Sequence, residues 1–319
     1  ADRSGAVSND VIVVRPNRIE NGYNAVLPFL IKSDSFIQYV MKGAKGVKMP
    51  RGDITLMKKY PLALPSPKEQ QKIADCLSSL DSLISAQADK LKTLKTHKKG
   101  LMQQLFPKEG ETIPRMRFPE FRDSREWVMP KLGSLGRFTG GGTPSKAKVS
   151  YWSGSNPWIS SSDISEDGIQ DIAVRRYISD EAIQDTATKI VPANSILLVS
   201  RVGVGKLAVS KTPICTSQDF TSFTPTRDNL FFIAYSLKVL KSKLLAFNQG
   251  MAIKGFTKDD LANLLIPLPT DLNEQQKIAD CLSSLDALIN AEADKLEALK
   301  THKKGLMQQL FPVLAEAEV

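Results

Sequence analysis

The chain carries one long segment twice. Residues 69–107 read EQQKIADCLSSLDSLISAQADKLKTLKTHKKGLMQQLFP and residues 274–312 read EQQKIADCLSSLDALINAEADKLEALKTHKKGLMQQLFP, with five differences across 39 positions. A repeat this close forces the fold to give two nearly identical segments equivalent surroundings. Each copy predicts a helix. Ser66-Pro67-Lys68-Glu69 has the form of a capping box with Pro67 at the first helical position, and Asp271 to Glu274 offers the second copy the same start. Ile73, Leu77, Leu80, Ile84, Leu91, Leu94, Leu101 and Leu105 recur in steps of four and three, with Gln87 and Lys98 in the two remaining positions of the series. Ile278, Leu282, Leu285, Ile289, Leu296, Leu299, Leu306 and Leu310 repeat the pattern, with Glu292 and Lys303 in the gaps. A period near 3.5 predicts a left-handed coiled coil. Neither stripe can be hidden by its own helix, so the economical solution packs one copy against the other. At about 1.5 Å per residue, roughly 38 residues make a rod of about 57 Å. The same pattern would also suit a helical hairpin that merely braces a core.

The repeat extends upstream. Ser8-Asn9-Asp10 with Pro16 matches Ser217-Gln218-Asp219 with Pro225, offset by 209 rather than 205, as a few inserted residues in the first copy would produce. The unit is therefore a globular domain followed by a long helix. The expected division is 1–67 as the remnant of a first globular domain and 68–107 as the first spacer helix. Then come 108–126 as a polar, proline-bearing linker, 127–272 as a complete second domain, 273–312 as the second spacer helix and 313–319 as a tail. The expectation is a chain shortened at its N-terminus, by design or because the gene encodes a partial subunit.

Between the helices the pattern is mixed. Ser195 to Val199 and Phe220 to Phe223 read as strands, Leu230 to Leu245 has helical spacing, and Gly140 to Ser145 and Arg201 to Lys206 read as loops. The predicted class is α+β. Trp127 to Thr270 holds 16 Lys and Arg against 11 Asp and Glu, and the whole chain has a formal charge of +9, which suits a polyanionic partner. Side chains able to bond base edges sit in loops beside glycines: Thr143, Ser145, Lys146, Ser160, Ser161, Ser162, Asp163, Arg201, Lys206 and Gln218. Taken singly, each of these reads as a turn former or a solvated residue ahead of a base reader.

Catalytic signals do not assemble. In Gly140-Gly141-Gly142-Thr143-Pro144-Ser145-Lys146 a serine stands where a phosphate loop needs the glycine before its lysine. Gly205-Lys206 is followed by Leu207, which lacks the hydroxyl that would hold magnesium. Asn156-Pro157-Trp158 lacks the second proline of the adenine-methyltransferase motif and has no glycine-rich cofactor loop beside it, so Pro157-Trp158-Ile159 reads better as a core anchor. His97 and His302 are one repeat position with no metal partners at a plausible spacing, and Cys76, Cys215 and Cys281 form no ligand cluster. No metal site and no catalytic residues are expected. Neither a signal peptide nor a membrane span of about 20 apolar residues is evident, which predicts a reduced, cytoplasmic setting.

Four features taken in order resemble the specificity (S) subunit of type I restriction-modification systems. They are Trp127 with Leu132-Gly133 and Gly140 to Lys146; Asn156-Pro157-Trp158-Ile159-Ser160; Ile266-Pro267-Leu268-Pro269 leading into Asn273 to Ile278; and the duplicated helix. The resemblance implies two target-recognition domains in tandem, each followed by a helix, the helices packing as an antiparallel coiled coil that spaces two half-sites of double-stranded DNA. It implies docking of modification (methyltransferase) subunits that bind S-adenosylmethionine, and of restriction subunits that use ATP and magnesium, with no cofactor in this chain. It places Gly142, Thr143, Ser145, Lys146, the stretch Ser160 to Asp163, Arg201, Lys206 and Gln218 in loops that face DNA, with Lys254, Thr257 and Lys258 at phosphates. Gly141 and Gly142 fit a tight turn as well as a close approach of backbone to DNA. With most of the first recognition domain missing, one chain is expected to read one half-site, and a homodimer would restore a symmetric reader. The rival reading is an assembly scaffold without DNA readout of its own.

Overall fold

The computed structural model describes residues 11–14, 23–43, 53–61, 65–166, 168–247 and 255–311. Both repeat copies are helices of 39 residues, Pro67–Leu105 and Leu272–Leu310. Three short helices precede the first: α1 (Tyr23–Leu30), α2 (Asp34–Met41) and α3 (Ile54–Lys58), so the long pair are α4 and α9. The chain forms two units, 1–93 with 290–319 and 94–289, and each long helix gives one stretch to each. Ser8 to Asp10, Pro16, Lys254 and the tail 313–319 lie outside the described residues.

In the first unit the helices run antiparallel. The Gln87 side-chain amide donates to Glu292 Oε2 at 2.5 Å and to the Glu292 carbonyl at 3.0 Å, and Lys90 Nζ reaches Glu292 Oε1 at 2.5 Å. Lys303 Nζ meets Asp81 at 2.5 Å. Gln87 and Glu292 occupy the same repeat position, which therefore faces itself. A glutamine opposite a glutamate gives one donor and one acceptor there, whereas two glutamates would bring like charges together. The predicted stripe is the inward face: Leu77 and Leu296 are buried, and Ile73, Leu80, Ile84, Leu91, Leu299, Leu306 and Leu310 are half-buried. Val26, Phe29 and Leu30 of α1 rest on Ala74, Leu77 and Phe311.

The second unit repeats these devices. Lys98 pairs with Asp286, the repeat equivalents of Lys303 and Asp81, and here both partners are nine-tenths buried. The Tyr235 hydroxyl donates to the other Asp286 oxygen at 2.7 Å. Burial first, and then the Asp286 carboxylate, push the Tyr235 phenol well above its usual range, which keeps it a donor. Ala279, Leu282 and Phe106, the equivalents of Ala74, Leu77 and Phe311, seat Phe232 and Ile233. Along this stretch Ile278, Leu282, Ile289 and Leu105 are buried, and Leu94, Leu101 and Leu285 are half-buried. Both stripes thus find cover inside one chain.

The head of the second unit holds two four-stranded sheets. With β1 (Gly136–Gly140), β2 (Asn156–Ile159), β3 (Arg176–Ile178), β4 (Ile190–Val191), β5 (Ser195–Val199), β6 (Leu207–Ser210), β7 (Ile214–Thr216) and β8 (Phe220–Pro225), the orders are β1-β8-β5-β6 and β3-β2-β7-β4. All pairs are antiparallel except β2 with β7. Strand β5 is buried on both faces, and its alternation explains the unbroken apolar run. Ile196 and Leu198 face the core shared with α6 (Leu230–Val239), while Leu197 and Val199 face Ile159, Val191 and Ile214 of the other sheet. Three short helices complete the head: α5 (Asp180–Asp185), α7 (Lys241–Ala246) and α8 (Lys258–Asn263). This is the α+β class expected.

Residues 108–126, read above as a linker, are largely exposed but pinned at a few points. Arg117 grips Glu274 through Nε and Nη2, each at 2.7 Å, Trp127 donates to the same carboxylate at 3.2 Å, and Phe121 is buried. Arg117 thus ties this stretch to the start of α9 through a charge pair.

Asp286→Ala would leave an ammonium and a phenol in a dry site, so urea or thermal unfolding should show a loss of about 3–5 kcal/mol. Asp81→Ala, removing a half-exposed carboxylate, should cost no more than about 1 kcal/mol.

Candidate nucleic-acid interface

Strand directions gather the predicted loops at one rim of the head. Because β2 and β7 are parallel, Ile159 and Thr216 end side by side; because β8 runs against β1 and β5, Gly140 meets Thr221 and Val199 meets Phe220. Backbone bonds then knit the loops together. Gly142 N–H donates to the Thr216 carbonyl at 2.8 Å, Ser217 N–H to Ile159 at 2.9 Å, Ser200 N–H to Asp219 at 2.7 Å and Phe256 N–H to Ser200 at 3.1 Å. The loops that begin at Gly142, Ser160, Arg201 and Ser217, with the approach to Thr257, are one contiguous surface.

Two glycine sets shape it. A Cβ on Gly141 would lie 1.9 Å from the Ser217 carbonyl oxygen, and one on Gly142 would lie 2.5 Å from Thr188 N. Their smallness serves contact between chain segments, not a tight turn and not room for a ligand. Gly203 and Gly205 have φ of 89° and 83°, which close the β5–β6 connection as a hairpin loop. That connection leads to a strand, so Gly205-Lys206 lacks the helix N-terminus that a phosphate loop requires.

The side chains divide into two groups. Thr143, Ser145, Lys146, Ser162, Arg201, Gln218 and Lys258 are exposed, and Ser161 and Lys206 are half-exposed. Among the described residues, no side-chain hydrogen bond or ion pair occupies Lys146, Arg201, Lys206, Gln218 or Lys258. The rim therefore presents four cations and an amide, and the indole N–H of Trp152 holds the Ser145 carbonyl at 3.2 Å. The second group is committed internally. Ser160 and Asp163 cap the turn between them, and Asp163, 6 % exposed, accepts from Ser160 N, Ser160 Oγ and Arg176. Burial opposes ionisation of Asp163, but the Ser160 bonds and the Arg176 guanidinium outweigh it and hold the carboxyl below its usual range. Thr257 caps α8 in the same manner with Asp260. Gly142 is buried, and Lys254 lies outside the described residues.

Pattern reading missed Arg176. It stands opposite Trp158 across β2 and β3, with its guanidinium carbon 4.6 Å from the ring centroid. Trp158 is buried, as its place in a core anchor suggests, and bonds the Gly142 carbonyl at 3.0 Å. No spacing signal links residues 158 and 176; only the strand pairing does.

The second unit thus joins stretches of both long helices to a mixed head whose loops carry exposed cations and an amide at one rim. The family model described as the type I restriction modification DNA specificity domain matches residues 2–96 and 124–301. The specificity subunit of the Escherichia coli type I restriction enzyme EcoR124I/EcoR124II is 31 % identical over 253 residues, covering 75 % of this chain and 58 % of that one. Two solved folds are similar at low identity. The HsdS subunit of Thermoanaerobacter tengcongensis has a TM-score of 0.50 at 20 % identity, covering 91 % of this chain and 70 % of that one. The S subunit of M. genitalium has 0.56 at 15 %, covering 88 % and 73 %. The chain belongs to the family of type I restriction-modification specificity subunits. Among the described residues, no helix is long and apolar enough to cross a membrane.

Gly141→Ala should lower the stability of the chain by about 1–3 kcal/mol or more, read by thermal denaturation without DNA. An unchanged melting temperature would return this glycine to a role at the ligand.

Proposed function

We propose that this chain is a non-catalytic subunit that reads duplex DNA through the rim of its head and holds that head at a set station on the paired helices. The observation that carries the reading is that Lys146, Arg201, Lys206 and Lys258, with Gln218, are exposed or half-exposed on the loops at that rim and are free of side-chain partners among the described residues. Exposed cations displace counterions from phosphates, and arginine and glutamine match the major-groove edges of guanine and adenine. Modification subunits supply the methyl transfer with S-adenosylmethionine, and restriction subunits supply the ATP- and magnesium-dependent steps. This chain binds neither cofactor and works in the cytoplasm, where the DNA is. One chain holds one complete head and so reads one half-site; a second copy would supply the other.

Binding to a duplex chosen from a random pool should weaken steeply with salt. Each of Lys146→Ala, Lys206→Ala and Lys258→Ala should flatten the slope of log affinity against log salt by roughly 1. Arg201→Ala and Gln218→Ala should each relax discrimination against altered sites by about 1–3 kcal/mol. A scaffold without DNA readout would show no enriched sequence and no common loss across these variants.

A further inference from the structure

Among the described residues of the rim, Arg176 is a cation that is both held and left with donors to give. Its Nη2 donates to Ser160 Oγ at 2.7 Å and to Asp163. Its guanidinium lies over the Trp158 ring, and its side chain is 37 % exposed against 4 % for that of Asp163. Nε and Nη1 make no hydrogen bond to any described residue. A guanidinium stacked on an indole and anchored at one nitrogen has little orientational freedom left to lose on binding. A brace of this kind is superfluous for a phosphate, which accepts from many directions, but it suits an acceptor fixed in a plane.

We propose that Arg176 reads a base, with Trp158 and Asp163 presetting its free Nη1 amino group, whose two hydrogens can meet two adjacent acceptors, toward a guanine. Guanine is the base whose major-groove edge offers two acceptors, N7 and O6, and no donor. Asp163 is the positioning residue: its charge is spent on Arg176 inside the head and is not turned toward DNA. The proposal rests on the reading of the chain as a DNA-recognition subunit.

The test uses the full chain and the duplex it enriches from a random pool. Each base pair of that duplex is replaced in turn, and competition binding is measured for the parent, Arg176→Lys and Arg176→Ala. At one G·C pair the parent should lose roughly 5- to 150-fold while both variants lose little, with the penalties at all other positions retained. Placing 7-deazaguanine at that pair, which deletes the N7 acceptor, should weaken the parent and leave the variants unmoved. This readout survives even if Arg176→Ala fails to fold, because Arg176→Lys keeps the charge and removes only the planar group that Trp158 and Asp163 hold. Unchanged penalties at every position, or a uniform loss across the panel as a phosphate contact would give, overturns the assignment of Arg176 alone. Failure of the parent to enrich any sequence overturns the DNA-recognition reading and this assignment with it.

Discussion

Two helices with nearly the same sequence can bury each other's stripe only if the reversed sequence complements the forward one. Antiparallel packing makes that demand position by position. Position 87 must tolerate its own copy, 292, and Lys98 must find Asp286 wherever Lys303 finds Asp81. The apolar stripe supplies affinity without a unique register, since leucine meets leucine equally well after a slip of one heptad. The polar members remove that freedom, because a slip would strand Lys98 and Asp286 away from water. Register, more than strength, is what the buried charges contribute here.

How the head is fixed to that register is a matter of shared residues. Asp286 answers to Lys98 on one helix and to Tyr235 on α6, so the head and the helix pair close around one carboxylate. Glu274 performs a similar service at the start of α9, where Arg117 and Trp127 converge on it. Recognition by loops is only as exact as their support. The rim is accordingly stitched by backbone bonds from four strands and by glycines that admit close chain approach.

Much of this was legible in the residues. The stripe was, because a period near 3.5 over ten positions has no other economical use, and even the polar interruptions at Gln87 and Lys98 fell inside. The partners of Lys98 and Lys303 were harder to find: Asp286 and Asp81 lie off the stripe, and Tyr235 belongs to a different element. Strand β5 could be seen as a strand, but not that its two faces serve different cores. The loops were legible singly, whereas their union depends on the parallel pairing of β2 with β7, which no local signal encodes. Ser160 with Asp163 and Thr257 with Asp260 have the three-residue spacing of a capping box, and that spacing would have shown these side chains turned to local duty. Arg176 had no such sign.

The seats beneath α1 and α6 have a composite origin. Ala74 and Leu77 come from the start of one long helix, and Phe311 follows the end of the other; Ala279, Leu282 and Phe106 reverse the roles. A solitary helix therefore offers a recognition domain only two-thirds of a footing, and the missing aromatic arrives when the opposite helix is alongside. Domain docking and helix pairing are in this way a single cooperative event, and a nascent or broken strut would have no finished platform on which to display a reader.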